Sequence, residues 1–261
     1  MTLLKAVQIT KVWEGARGLS VKALDNVSVE ADNGAFVAIL GPSGCGKSTL
    51  LEIIAGLEPA TTGDVRMDGR TVTEASPERC MVFQDLCLFP WLSVFDNVAF
   101  GLKRRGIARP ELKERVDEVL GRVGLSRFAK HFRHQLSGGM KQRVAIARAL
   151  VQKPRLLLMD EPFAALDFQT RVLMQRFLLE IWESFGTTIM FVTHHIDEAI
   201  LLADTVYVMS AGPGRIVDRI DIELQRPRSY TTDTFNQYRV ALTEQMEREV
   251  MRAYQPLAAA E

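Results

Sequence analysis

This chain of 261 residues has no excess of charge of either sign. Lys and Arg total 32, Asp and Glu total 32, and the formal net charge is zero. General affinity for nucleic acid or an anionic membrane needs a basic excess or a basic stripe, so neither is expected. No apolar run approaches the roughly 18 residues of a membrane-spanning helix. The start, Met1-Thr-Leu-Leu-Lys5, lacks the long apolar core of a secretory signal. Cysteine is sparse: Cys45, Cys80 and Cys87 are odd in number and lack paired spacing, which argues for a reduced, cytosolic setting. Internal repeats and low-complexity segments are missing as well. What remains, 47% hydrophobic and 25% charged residues, is the balance of an ordinary globular chain. At about 150 residues per domain the length corresponds to between one and two domains. A membrane role has to come through a partner.

Residues 1–40 read as strands, with Val7, Ile9 and Val12, then Val21, Leu24, Val27 and Val29, separated by polar residues. Asn33-Gly34 signals a turn. Phe36–Leu40 is a short apolar run suited to a strand buried on both faces. It leads through a glycine-rich loop, 41–49, into a helix marked by Leu50, Leu51, Ile53, Ile54 and Leu57. Gly63–Gly69 reads as a hairpin with Val65 and Met67 on one face. Residues 86–135 read as mostly helical. Pro110 opens a helix whose face carries Leu112, Val116, Val119, Leu120 and Val123, and Gly124 ends it. From 156 strands and helices alternate: 156–159, 188–192 and 205–209 as strands, 168–185 and 196–203 as helices. That order predicts βαβ units and a parallel sheet. The stretch 231–254 is amphipathic, with Phe235, Tyr238, Leu242, Met246 and Val250 on one side.

Three motifs carry chemistry. Gly41-Pro42-Ser43-Gly44-Cys45-Gly46-Lys47-Ser48 fits G-x-x-x-x-G-K-[ST] at every fixed position, between a strand and a helix. Such glycines let backbone N–H groups close around phosphate oxygens, while Lys47 reaches the β- and γ-phosphates and the Ser48 hydroxyl binds Mg²⁺. Cys45 fills a free position and is expected to pack as a small residue. Asp160-Glu161 ends the apolar run Leu156–Met159, and strand ends in such sheets face the ligand crevice. Asp160 is expected to hold Mg²⁺ and its water shell, and Glu161 to activate the attacking water. Leu136-Ser137-Gly138-Gly139-Met140-Lys141-Gln142 opens a helix carrying Val144, Ile146, Ala147 and Leu150. It presents a second small-residue turn at a helix N-terminus, a second anion site. One ATP does not need two such loops from one chain, so this loop is expected to close on the nucleotide held by another subunit. Ser137 also serves there as a plain N-cap, which is compatible.

With these motifs, residues 4–225 resemble the ATP-binding subunits of ABC (ATP-binding cassette) transporters. Residues 41–48 look like Walker A, with Thr49 counted among the nucleotide contacts. Residues 136–142 look like the family signature, and Asp160-Glu161 like the end of Walker B with its catalytic glutamate. The resemblance makes Gln84 the Q-loop glutamine and a Mg²⁺ ligand, Ala165-Leu166-Asp167 the D-loop, and His194 the switch histidine. Trp13 stands where an aromatic stacks on adenine, although a tryptophan in a strand also serves as a packing residue. His195 departs from the Asp often found there. Two adjacent histidines give too few ligands for a metal site, and the cysteines do not add to them. The run Phe83–Leu102, the segment Ser210–Val217 and Arg226-Pro227-Arg228 are similar to importers for nitrate, sulfonates and taurine.

The expected fold is α/β: a P-loop NTPase core of the ABC ATPase kind, with an N-terminal antiparallel β subdomain and an inserted α-helical subdomain near 88–153. The ABC domain is read as 4–230, followed by a C-terminal amphipathic helix and tail, 231–261. The resemblance implies an ATP-hydrolysing, energy-coupling importer subunit that uses ATP and Mg²⁺. It pairs head to tail as a homodimer beneath integral membrane permease subunits, on the cytoplasmic face of the inner membrane. A periplasmic or lipid-anchored solute-binding protein delivers the solute. The rival is a soluble ABC ATPase acting on DNA or ribosomes, which commonly carries two cassettes or long insertions. This chain has one Walker A and one signature, and its charge disfavours nucleic acid. A small-molecule kinase would not need the signature loop.

Overall fold

The computed structural model describes residues 1–15 and 19–258. Residues 259–261, assigned above to the tail, lie outside it. In chain order the elements are β1 (Thr2–Glu14), β2 (Ser20–Asp32), β3 (Phe36–Leu40), α1 (Lys47–Ala55), β4 (Thr62–Met67), β5 (Arg70–Thr71), β6 (Arg79–Val82), α2 (Val94–Arg104), α3 (Arg109–Arg122), α4 (Gly138–Leu150), β7 (Leu156–Asp160), α5 (Phe168–Phe185), β8 (Thr188–Thr193), α6 (Ile196–Leu202), β9 (Thr205–Met209), β10 (Ile216–Asp221) and α7 (Asp233–Ala258). They fall into two compact units: Met1–Ala75 with the chain from Thr188 onward, and Ser76–Thr187.

The first unit holds an antiparallel sheet in the order β2-β1-β4-β5. β1 changes its inward face part-way. Leu4 and Ala6 point inward, Gln8 takes a left-handed φ of 52°, and Ile9 and Lys11 then point inward. This bulge between Ala6 and Ile9 puts one extra residue into β1 and flips the parity of everything after it. Val7, read as a strand apolar, therefore keeps the outward side, and Val21 on β2, read the same way, is also exposed. The hairpin expected over 63–69 instead turns at Asp68-Gly69, and its second arm is β5, with Met67 opposite Arg70.

In the same unit β3 pairs in parallel with both β8 and β9, and β10 adds an antiparallel edge beside β9. β3 and β8 are buried along their whole length, as apolar runs between covered faces should be. α1 packs Leu50, Leu51, Ile53 and Ile54 inward and stops at Gly56 in the left-handed region. Leu57, expected on that face, lies past the stop and is exposed. On α7, Phe235 and Leu242 are fully buried, while Tyr238, Met246 and Val250 are half-buried.

The second unit contains the parallel pair β6–β7 and four α-helices, with two short 3-10 turns at Ser126–Phe128 and Arg133–Gln135. α3 buries Leu112, Val116, Val119 and Leu120, with Val123 buried just past its end. α4 buries Val144, Ile146, Ala147 and Leu150.

Candidate functional site

Each unit brings one set of the predicted residues together. In the first, β3 and β8 run in parallel with Leu40 opposite Thr193. The loop after β3 and the His194 turn after β8 therefore leave the same end of adjacent strands, and the Gly41 N–H donates to the Thr193 carbonyl at 3.3 Å. Gly44 and Gly46 have φ of 77° and 97°, conformations that L side chains rarely adopt. At Gly46 a Cβ would also sit 2.8 Å from the Ala23 carbonyl oxygen. Cys45 is buried, and burial pushes its thiol pKa up, in keeping with a packing role. Gly46 caps α1 without any side-chain hydrogen bond, so the first N–H groups of the helix face the loop. Lys47 is buried, and its Nζ donates to the carbonyls of Gly41 at 2.9 Å and Pro42 at 2.8 Å. An ammonium held beside a glycine-rich turn at a helix N-terminus is an arrangement suited to an anion. Ser43, Gly44 and Ser48 are exposed, and Pro42 and Thr49 half-buried.

His194 is exposed, and its ring lies 4.1 Å from that of His195. The His195 N–H donates to Thr193 Oγ1 at 3.0 Å, and that hydroxyl donates to Glu198 Oε2 at 2.7 Å. Trp13 is 40% exposed, with Lys11 Nζ 4.3 Å from its ring centroid. Lys11 is buried and bonds Glu58 Oε1 at 2.6 Å and the Pro59 carbonyl at 2.8 Å. It was not singled out in the sequence. The signal was a lysine at an inward strand position, hidden by the bulge at Gln8.

In the second unit β6 and β7 run in parallel with Val82 opposite Met159. Gln84 and Glu161 thus follow the same ends of neighbouring strands, and both line a cleft of about 270 Å³ together with Gly138, Gln142 and Leu166. Asp160, the last residue of β7, is buried. Glu161 takes φ 43°, a strained backbone for a non-glycine residue and one that clusters at functional sites. Ser137 caps α4, its Oγ accepting from the Met140 N–H at 3.3 Å. A Cβ on Gly139 would lie 2.9 Å from Thr170 Cγ2 of α5, so close helix packing alone asks for glycine there. Asp167 caps α5 by accepting from the Thr170 N–H at 3.0 Å, and the hydrogen bond with the Thr170 side chain, then this one, holds its carboxyl below the usual range.

Sequence reasoning missed the residues that hold the Gln84 loop. Arg148 of α4 donates to the carbonyls of Leu86 at 2.7 Å and Cys87 at 2.6 Å. Buried Asn97 donates to the carbonyls of Phe89, Leu92 and Ser93 and accepts from the Phe89 N–H. These contacts are long-range or side chain to backbone, and no periodicity announces them.

Residues 24–164 match the family model described as ABC transporter. The chain is 48% identical over 231 residues to the taurine import ATP-binding protein of Rhizobium johnstonii, covering 88% of each. It is 46% identical over 221 residues to the nitrate import ATP-binding protein of Synechocystis, covering 85% of this chain and 83% of that one. The chain belongs to the ABC transporter family. A solved relative, the dimeric post-hydrolysis state of an ATP-binding cassette bound to ADP and phosphate, superposes with a TM-score of 0.73 at 32% identity, over 85% of this chain and all of that one. The fold is the mixed α/β ABC cassette. The ABC subunit described here binds ATP and hydrolyses it to drive import.

Proposed function

We propose that this ABC ATPase powers uptake of a small oxyanion, either nitrate or an aliphatic sulfonate such as taurine. It works as a homodimer beneath integral membrane permease subunits, on the cytoplasmic face of the membrane, supplied by an extracytoplasmic solute-binding protein. Among the described residues no helix is long and apolar enough to cross a membrane, so a permease supplies the path. The import relatives favour this reading over a cassette acting on DNA or ribosomes.

The observation that carries the ATPase half is the cradle at 41–47, with its left-handed glycines, its uncapped helix start and its buried Lys47. In the proposed cycle the N–H groups of this loop bind the phosphates, Lys47 takes the γ-phosphate charge, and the open face of Trp13 stacks on adenine. The oxygens of Ser48, Gln84 and Asp160 are hard donors of the kind Mg²⁺ takes, and Asp160 sits buried at a strand end. Held by such oxygens, Mg²⁺ would supply charge neutralisation to the phosphates. Glu161 accepts the proton of the attacking water, and His194 holds the γ-phosphate. Ser137, Gly138 and Gly139 of one copy, with Asp167, close on the nucleotide of the other.

The shared site has a direct test. Lys47→Ala and Ser137→Arg damage opposite halves of one composite site. In a dimer mixed from the two variants, one site carries both defects and the other none. Mixing is expected to recover ATPase activity that neither parent shows. A mixture as inactive as its parents, with no nucleotide trapped in either site, overturns the head-to-tail pairing.

The solute class is tested by reconstituting the chain with its neighbouring permease and binding protein. ATPase activity is expected to rise on adding nitrate, taurine or an alkanesulfonate. Stimulation by none of the three overturns the oxyanion assignment while leaving the ATPase assignment intact.

A further inference from the structure

Arg226 and Arg228 belong to no catalytic motif, yet both donate to carbonyls at the end of α6, the helix that follows His194. α6 has seven residues and ends at Ala203 with φ −85° and ψ 147°, without the left-handed glycine that usually satisfies the last carbonyls. Arginines do that work instead. Arg228 Nη1 donates to the carbonyls of Ile200 and Ala203, both at 2.6 Å, and its Nε donates to the Leu224 carbonyl at 2.9 Å. Arg226 Nη2 donates to the Leu202 carbonyl at 2.5 Å, and its Nη1 to Asp204 Oδ1 at 2.6 Å. Burial, then the neighbouring charge of Arg226, pull Arg228 down to about 10, so it stays cationic at neutral pH. The other end of α6 is held by α7. Arg239 Nε donates to Asp197 Oδ1 at 2.6 Å, and its guanidinium lies 5.2 Å from the ring centroid of the buried Phe235.

α6 in turn fixes the His194 turn. Glu198 is buried and accepts from Thr193 Oγ1, that oxygen accepts from the His195 N–H, and the His195 carbonyl accepts from the Ala199 N–H at 3.3 Å. Displacing α6 therefore moves the backbone on both sides of His194.

We infer that Arg226, Arg228 and Arg239 form a clamp through which the linker after β10 and helix α7 position His194. The C-terminal segment is then part of the hydrolytic machinery rather than a cover for the core. Arg239 and Arg228 are positioning residues, acting through α6. This rests on the reading that His194 holds the γ-phosphate.

The test is a double-mutant cycle on Arg239, which is half-exposed and tolerates replacement better than Arg228. Arg239→Ala is expected to lower kcat about tenfold, because small misplacements of a catalytic group are costly, with little change in ATP affinity. In a His194→Ala background the same change is expected to cost less than about twofold, since the two then act on one step. Asp197→Asn should reproduce both results. An equal loss in the two backgrounds makes the clamp merely structural and overturns the inference. If His194→Ala alone leaves kcat unchanged, the γ-phosphate role of His194 is what fails. The clamp is then read from the His194 imidazole resonance, which Arg239→Ala is expected to shift, and an unshifted resonance overturns it.

Discussion

Glu161→Gln is expected to leave ATP affinity unchanged and to slow hydrolysis by about 10²–10⁴, the range over which a general base acts. Glutamine has the same shape and can orient a water, but it cannot take its proton. Glu161 follows the buried strand β7, takes a left-handed φ of 43°, and lines the cleft that also carries Gln84 and Gly138. The backbone at this position is over-determined by its neighbours, so the substitution is expected to change chemistry and not conformation. With binding intact and turnover blocked, the nucleotide-closed dimer should accumulate, visible as an ATP-dependent shift from monomer to dimer on a sizing column. Single-turnover phosphate release measures the chemical step itself. Wild-type turnover in this variant would remove Glu161 from the base role.

The elements most legible in the sequence were those whose residues answer to one strong local rule. β3 and β7 are apolar runs short enough to be nothing but buried strands, and α5 follows a clear helical repeat up to Gly186, whose left-handed φ of 62° ends it. The glycine loop with Lys47 was legible because the chemistry dictates residue type and spacing together. What was illegible depends on partners far away in sequence. β6 and β10 are short and half-polar, and they become strands only because β7 and β9 offer an edge to pair with. The bulge at Gln8 has no residue signature, yet it decides that Val7 faces solvent and Lys11 faces inward. The Arg226 and Arg228 contacts are invisible for a similar reason, since an arginine bonding carbonyls leaves no trace in periodicity.

Trp91→Ala is expected to abolish co-purification with the permease and solute uptake while leaving solubility, melting temperature and basal ATPase nearly unchanged. The sequence places Leu86, Leu88, Phe89, Pro90 and Trp91 in one apolar cluster just after Gln84, and two fates compete for it: packing beneath the helices, or display to a partner. The structure divides the cluster between them. Leu88 is buried, and Asn97 pins the backbone at Phe89, whereas Trp91 is 71% exposed and Phe100 39% exposed. Phe89 joins these two into one aromatic surface, its ring 5.6 Å from Trp91 and 4.6 Å from Phe100. Exposed aromatic clusters on rigid supports mark interaction sites, and truncating an anchor there costs binding far more than folding. A tryptophan this exposed should cost no more than about 0.5 kcal/mol of stability when truncated. A buried one would cost about 3–5 kcal/mol. The two measurements therefore separate cleanly: a large fall in melting temperature, or permease binding that survives the substitution, would each sink the docking role of Trp91. Leu88→Ala is the matching control, expected to lower the melting temperature because its side chain is core. The same loop begins at Gln84, and Arg148 and Asn97 hold its backbone to α4 and α2. A permease segment seated on Trp91 would thus press on a loop whose other end carries a residue assigned to the nucleotide, a short mechanical route from membrane partner to ATP.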